Sequence, residues 1–299
     1  IRRQHEKPFF LYLAHTMPHI AQYASPPFAG KSKGGVFGDC VEEIDASTGR
    51  ILDLLKELGM DERTLVIFTS DNGAGLRGGK AKAEERFPGR SEHGSNGVLR
   101  GGKGSTFEGG VRVPCIAWWP KTIAGGRVDG TPWSALDLMP TMAAMAQVKA
   151  PEVDGIDFTD GLKGKTMREE PRMLFHYFGV QLQAVREGPW KLFLPISEPP
   201  KLRVPSLWFE HQNGLFERQH RFWPKPTLYD LSADVSENVD VAEKHPEVVA
   251  RLQKAAESFD ASFQKQIPPV QYLPGPKPPA PGQVRTSADS VEEWLKLAR

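Results

Sequence analysis

The chain is short of cysteine, of net charge and of long apolar runs, and each shortage removes a class of function. Only Cys40 and Cys115 occur in 299 residues. Two cysteines cannot build a disulfide framework, and both lie in apolar-patterned segments, so buried free thiols are expected and the redox compartment stays open. Against 37 acidic residues stand 38 basic ones, a net charge of +1. That balance gives no electrostatic case for nucleic acid or an anionic membrane surface as a partner. No apolar run approaches the ~20 residues that span a bilayer, so no membrane span is expected. None of Asn72, Asn96, Asn213 and Asn238 opens an Asn-x-Ser/Thr sequon, and no internal repeat is visible. What the chain does have is a hydrophobic content of 39%, ample for the core of one or two domains.

Two phrases stand out. Thr64 to Gly73 reads TLVIFTSDNG. Its apolar run, Leu65 to Phe68, suits a strand buried on both faces. The run ends in Asp71 and Asn72, at the carboxyl edge where open α/β sheets hold their ligands. Carboxylate and amide oxygens are hard donors suited to Ca²⁺ or Mg²⁺, although Asp-Asn-Gly is equally a turn sequence. The second phrase, Leu99 to Pro114, reads LRGGKGSTFEGGVRVP. Lys103 sits there among Gly101, Gly102 and Gly104, which let backbone and substrate approach its ammonium closely, an arrangement suited to holding an oxyanion. Taken alone, a flexible glycine loop with a solvated lysine is the plainer reading.

Together the phrases resemble the sulfatase family of the alkaline phosphatase superfamily, in the branch that includes arylsulfatase A. There a strand ending in D-N-G precedes a variable loop and a G-K-x-T-x-E-G-G-x-R-x-P phrase, matched here from Gly102 to Pro114. The variable position after Lys103 holds two residues, Gly104 and Ser105. The family also carries F-x-L-Y followed by P-H, matched by the run Pro8 to Ala14 with Pro18 and His19. Further matches are D-L-x-P-T (Asp137, Leu138, Pro140, Thr141), V-R-x-G-x-W-K-L (Val185 to Leu192) and L-Y-D-L-x-x-D-x-x-E-N (Leu228 to Asn238).

Between these phrases, the residues themselves predict the elements. Pro8 to Ala14 reads as a second buried strand. His15 and His19 follow it, and Pro18 makes a helical metal pair there implausible. Val41, Ile44, Ile51, Leu54, Leu55 and Leu58 fall at helical spacing, closed by Gly59 as C′ residue. Asp39, Glu42, Glu43 and Asp45 read as a solvated face of that helix. Strand, helix and strand in succession predict a mostly parallel sheet. The charged stretch 74–98, with Arg90 and His93, reads as a surface loop. Residues 113–119 read as a strand, and Ser134 to Gln147 as a helix N-capped by Ser134 and kinked or divided at Pro140.

Beyond residue 150 the texture changes to short strands at 173–178, 181–186 and 190–194, then a helix from about 246 to 263, so a small antiparallel sheet with one helix on a face is expected. An aromatic insertion spans 196–225, with packing under a long loop its plainer role. A proline-rich tail and a short amphipathic helix close the chain. The expected division is 1–150, the C-terminal part of an α/β catalytic domain; 151–266, the small β subdomain; and 267–299, the tail.

The resemblance implies an alkaline phosphatase-like α/β fold, incomplete at the N-terminus, and sulfuric ester hydrolysis. It implies Asp71 and Asn72 as metal ligands, Lys103 on the sulfate and bridging oxygen, and His19 on the ester, favouring departure of the alcohol. The implied cofactors are a divalent cation, Ca²⁺ before Mg²⁺, and a formylglycine made from cysteine in C-x-P-x-R. Neither Cys40, followed by VEEI, nor Cys115, followed by IAWW, opens that motif, and the family's N-terminal Asp pair and K-x-H phrase are absent. The chain is therefore expected to begin within a domain, to be the C-terminal portion of a sulfatase, and to be inactive alone. The resemblance further implies an aryl sulfate or sulfated carbohydrate as substrate and a periplasmic or extracellular setting; the oligomeric state is left open. A phosphodiester or phosphonate ester hydrolase, or a non-catalytic binder of sulfated glycans, are the alternatives.

Overall fold

The computed structural model describes residues 1–3, 5–19, 22–75, 94–165, 172–179, 181–196 and 224–266. The expectations for Arg90 and His93, for most of the aromatic insertion and for the tail lie outside them. The chain divides into two compact units, residues 1–173 with 231–237, and residues 174–230 with 238–299.

In the first unit, helix α1 spans Gly35–Glu57. Its C-terminus closes as expected. Gly59 takes φ +62°, its N–H reaches the Lys56 carbonyl (3.0 Å), and the Met60 N–H reaches that of Leu55 (2.8 Å). These two bonds satisfy carbonyls that the helix leaves without partners. Of the acidic residues of α1, Glu42 and Asp45 are exposed as expected, but Asp39 and Glu43 are not. Asp39 is 2% exposed, and its carboxylate accepts the N–H groups of Gly30, Lys31 and Ser32 at 2.8–3.1 Å. Those bonds, that from Ser32 first, hold its pKa below the ordinary value. Glu43 likewise accepts the hydroxyl and N–H of Ser25. The two carboxylates shape the loop ahead of the helix because they satisfy its backbone donors, which water would otherwise have to reach.

Strand β1 is Val66–Thr69 and β2 is Cys115–Trp118; they pair antiparallel, Val66 opposite Trp118 and Thr69 opposite Cys115. Two expectations are corrected here. Residues 8–14 form no strand, and Phe10, Leu11, Tyr12 and Leu13 are exposed. A strand exists only within a hydrogen-bonded ladder, and β1 and β2 pair with each other alone among the described residues. For the same reason β1 is not buried on both faces; Phe68 is 39% exposed. The one pairing described in this unit, β1 with β2, is antiparallel.

The second phrase contains a one-turn helix α2, Glu108–Val111. Further on, a 3₁₀ turn at Ala135–Asp137 leads into helix α3, Leu138–Met145, and α4 follows at Thr159–Leu162. Ser134 caps as expected. Its hydroxyl accepts the Leu136 N–H, and the Asp137 carboxylate accepts the Ser134 N–H. Pro140 falls in the first turn of α3, where the missing N–H costs nothing. The division therefore lies ahead of the proline. Asp137 is fully buried, ion-paired with Arg172 and accepting the Ile156 N–H. It is a structural hub of this unit.

The second unit is a four-stranded sheet in order β3 (Met173–Phe178), β4 (Gln181–Glu187), β5 (Trp190–Phe193) and β6 (Thr227–Asp230). Its β4–β5 and β5–β6 pairs are antiparallel. Helix α5, Pro246–Gln266, packs on β4 and β5 through Val248, Leu252 and Ala256, an i, i+4, i+8 stripe. Phe259 stacks on Phe175 at 3.9 Å, and the Tyr177 hydroxyl donates to Asp260. Strands β3, β4 and β5 and the helix lie where the sequence predicts, and β6 is a further strand that was not among those expected.

Candidate active site

The first phrase ends as a turn at the carboxyl end of β1. Asp71 is exposed and Asn72 half-buried. The Ser70 hydroxyl reaches the Asn72 carbonyl at 3.1 Å and, at 3.5 Å, the Asp71 carboxylate. Gly73 is buried and its N–H donates to the Gly110 carbonyl at 3.0 Å. A Cβ there would lie 1.8 Å from the Gly109 carbonyl oxygen. Only glycine lets the turn seat this closely on α2.

Lys103 occupies a tight turn of its own. The Ser105 N–H and hydroxyl both donate to the Gly102 carbonyl, at 2.9 and 2.8 Å, and Gly104 takes φ +85°. The Lys103 N–H donates to the Ala74 carbonyl at 3.0 Å. The turn after β1 and the lysine loop, some thirty residues apart in sequence, thus share one hydrogen-bonded seam. None of these bonds includes His19, which stands exposed in the turn after Pro18.

Two residues that carried no expected role complete the seam. Asn96 accepts the Ala74 N–H (2.8 Å) and donates to the carbonyls of Ala74 (3.1 Å) and Gly101 (3.0 Å). It lies in the stretch read as a surface loop, and the Asn-Gly pair it opens was the available signal. Glu237, the E of the E-N phrase, is fully buried at φ +54°, and its carboxylate accepts the Glu108 N–H at 2.7 Å. Arg100 donates to the Glu237 carbonyl and lies over the Phe107 ring. The Gly109 N–H donates in turn to the Arg100 carbonyl. The segment 231–237 therefore braces α2, on which the Gly73 turn rests.

This arrangement offers a carboxylate and an amide oxygen for a hard cation, beside a loop that carries an ammonium. The donor chemistry fits Ca²⁺ or Mg²⁺ but supplies part of a shell, since Ca²⁺ takes six to eight oxygens. Among the described residues no group of three His, Cys, Asp or Glu side chains converges to hold a metal. Neither cysteine fits the nucleophile. Cys40 is buried in α1 as expected, donates to the Tyr23 carbonyl, and has its thiol pKa raised by burial; Cys115, expected to be buried, is exposed at the start of β2.

Residues 1–148 match the family described as Sulfatase, and residues 169–280 match the C-terminal region of aryl-sulfatase. The chain belongs to the sulfatase family. It is 36% identical to steryl-sulfatase of Mus musculus over 99% of this chain and 46% of that protein. It is 44% identical to N-acetylgalactosamine-6-sulfatase of Mus musculus over 65% of this chain and 36% of that protein. A solved sulfatase structure from work on glycosaminoglycan metabolism by Bacteroides thetaiotaomicron superposes with a TM-score of 0.65 at 33% identity, covering 87% of this chain and 52% of that one. The chain thus spans about half the length of the relatives it matches.

Proposed function

We propose that the whole protein hydrolyses sulfate esters and that this chain supplies the part of the site that binds the sulfate and releases the alcohol. The observation that carries the reading is the seam at Ala74, where the peptide unit after Asn72-Gly73 accepts the N–H of Lys103 itself. Asp71 and Asn72 hold a divalent cation, Ca²⁺ in the first instance. When bound, the cation supplies charge neutralisation for the sulfate oxygens. Lys103 binds the sulfate and balances the negative charge that grows on the bridging oxygen as the S–O bond breaks. His19, in its exposed turn, gives the departing alkoxide a proton. No residue of this chain fits the formylglycine, so the attack on sulfur is not assigned to it.

The substrate class is a sulfate monoester, aryl or carbohydrate, because the groups assigned address the sulfate and its bridging oxygen and none addresses the rest of the alcohol. The similarity to an N-acetylgalactosamine-6-sulfatase favours testing a sulfated amino sugar first. A periplasmic or extracellular setting belongs to the same proposal. The test is sulfate release from 4-nitrophenyl sulfate and from N-acetylgalactosamine 6-sulfate by the protein expressed from its complete reading frame, before and after chelation. Turnover that stops with EDTA and returns with Ca²⁺ is expected. Binding of either ester without turnover would overturn the assignment.

A further inference from the structure

Asn96 belongs to none of the phrases that carry the resemblance, yet its side chain joins Ala74, the residue that follows the first, to Gly101 within the second. A primary amide can pair with both polar groups of one peptide at once, because it carries an acceptor and two donors. At Ala74 it does so, Oδ1 to the N–H and Nδ2 to the carbonyl, while Nδ2 also reaches Gly101. Ala74 is two residues from Asn72, and Gly101 is two residues from Lys103. The Ala74 carbonyl is shared with the Lys103 N–H. Removing this amide therefore loosens both ends of the path from the cation turn to the lysine.

Asn96 is itself held in place. The Leu99 N–H closes a turn onto the Asn96 carbonyl at 3.0 Å, with Gly97 at φ +58°. The Ser236 hydroxyl then fixes that turn by donating to the Val98 carbonyl at 2.7 Å. A side chain aligns its partners only when its own backbone cannot drift, and here it is anchored on the far side as well.

We infer that Asn96 is a positioning residue that sets Asp71 and Asn72 against Lys103. The inference rests on the proposed function, since it assigns Asn96 the alignment of the two groups that function requires. Asn96→Leu keeps the approximate volume and removes all three hydrogen bonds; Asn96→Ser keeps one short polar group. In the protein expressed from its complete reading frame, Ca²⁺ affinity is measured by calorimetry after stripping, with kcat and KM for 4-nitrophenyl sulfate and the Tm of the metal-free form.

Asn96→Leu is expected to weaken Ca²⁺ binding or lower kcat by about 10–100-fold without a matching rise in KM, with Asn96→Ser in between. If Asn96→Leu fails to fold, Asn96→Ser carries the test. Variants whose Tm falls while Ca²⁺ affinity and kcat stay at wild-type values would overturn the inference alone, since the role would then be structural. A wild-type protein that neither binds Ca²⁺ nor releases sulfate would overturn the proposed function, and the inference with it.

Discussion

Replacing Gly73 with alanine tests the seam at its tightest point. The new Cβ would lie 1.8 Å from the Gly109 carbonyl oxygen and 2.8 Å from its carbon. Real Cβ contacts stay beyond ~3.0 Å, so the turn must retreat from α2 by about 1.2 Å. Both partners are backbone, which cannot swing aside as a flexible side chain would. The retreat stretches the Gly73 N–H to Gly110 hydrogen bond from 3.0 Å and carries Asn72, the adjacent residue, with it. A misplacement of about 1 Å at a reacting site costs roughly 100-fold in rate, about 2.7 kcal/mol of barrier. The stability cost is separate, about 1–3 kcal/mol for overpacking a close contact.

The assay is kcat/KM for 4-nitrophenyl sulfate together with Ca²⁺ affinity, and urea unfolding for the stability cost. Gly49→Ala is the control. Gly49 lies in α1, and a methyl group there would meet open space; alanine should add about 0.5–1 kcal/mol of stability and leave activity unchanged. A Gly73→Ala protein with wild-type kcat/KM and Ca²⁺ affinity would refute the claim that the turn needs this seat.

Two further outcomes follow from buried carboxylates. Glu237→Ala strands the buried Glu108 N–H and should cost about 1–3 kcal/mol in urea unfolding, whereas Glu237→Gln retains an acceptor and should lose far less. Equal losses would show that the hydrogen bond is not what matters at this position. Asp39 has its pKa lowered by backbone N–H groups, so it favours folding above the ordinary carboxylate value of about 4. That contribution disappears as pH falls through the lower folded value. Unfolding free energies between pH 2 and 6 should therefore show a shallower acid-side decline for Asp39→Asn than for wild type.

The elements that the sequence made legible were those whose signal is local. The spacing of Leu54, Leu55 and Leu58 with Gly59 behind them marks α1, and the alternation around Leu182 to Leu192 marks the second sheet. Each depends on residues near one another in the chain. Residues 8–14 show the limit. Their composition suits a strand, but a strand needs a partner ladder, and composition does not reveal which edge is available. The site divides in the same way. Asp71, Asn72 and Lys103 could be named as candidates because they sit in dense phrases. Asn96 and Glu237 act through backbone groups 22 and 129 residues away, a relation that no spacing records. Asp39 was read as solvated because helical periodicity does not show the loop folded back over it.

The most direct test is free sulfate, measured by ion chromatography, from 4-nitrophenyl sulfate incubated with the protein expressed from its complete reading frame, alongside its Lys103→Ala variant. The account predicts sulfate release by the wild type and a loss of about 10²–10³-fold in kcat for the variant, the scale of removing one charge-stabilising group from a site of this kind. Equal rates from the two proteins, or no sulfate from the wild type with Ca²⁺ bound, would contradict it.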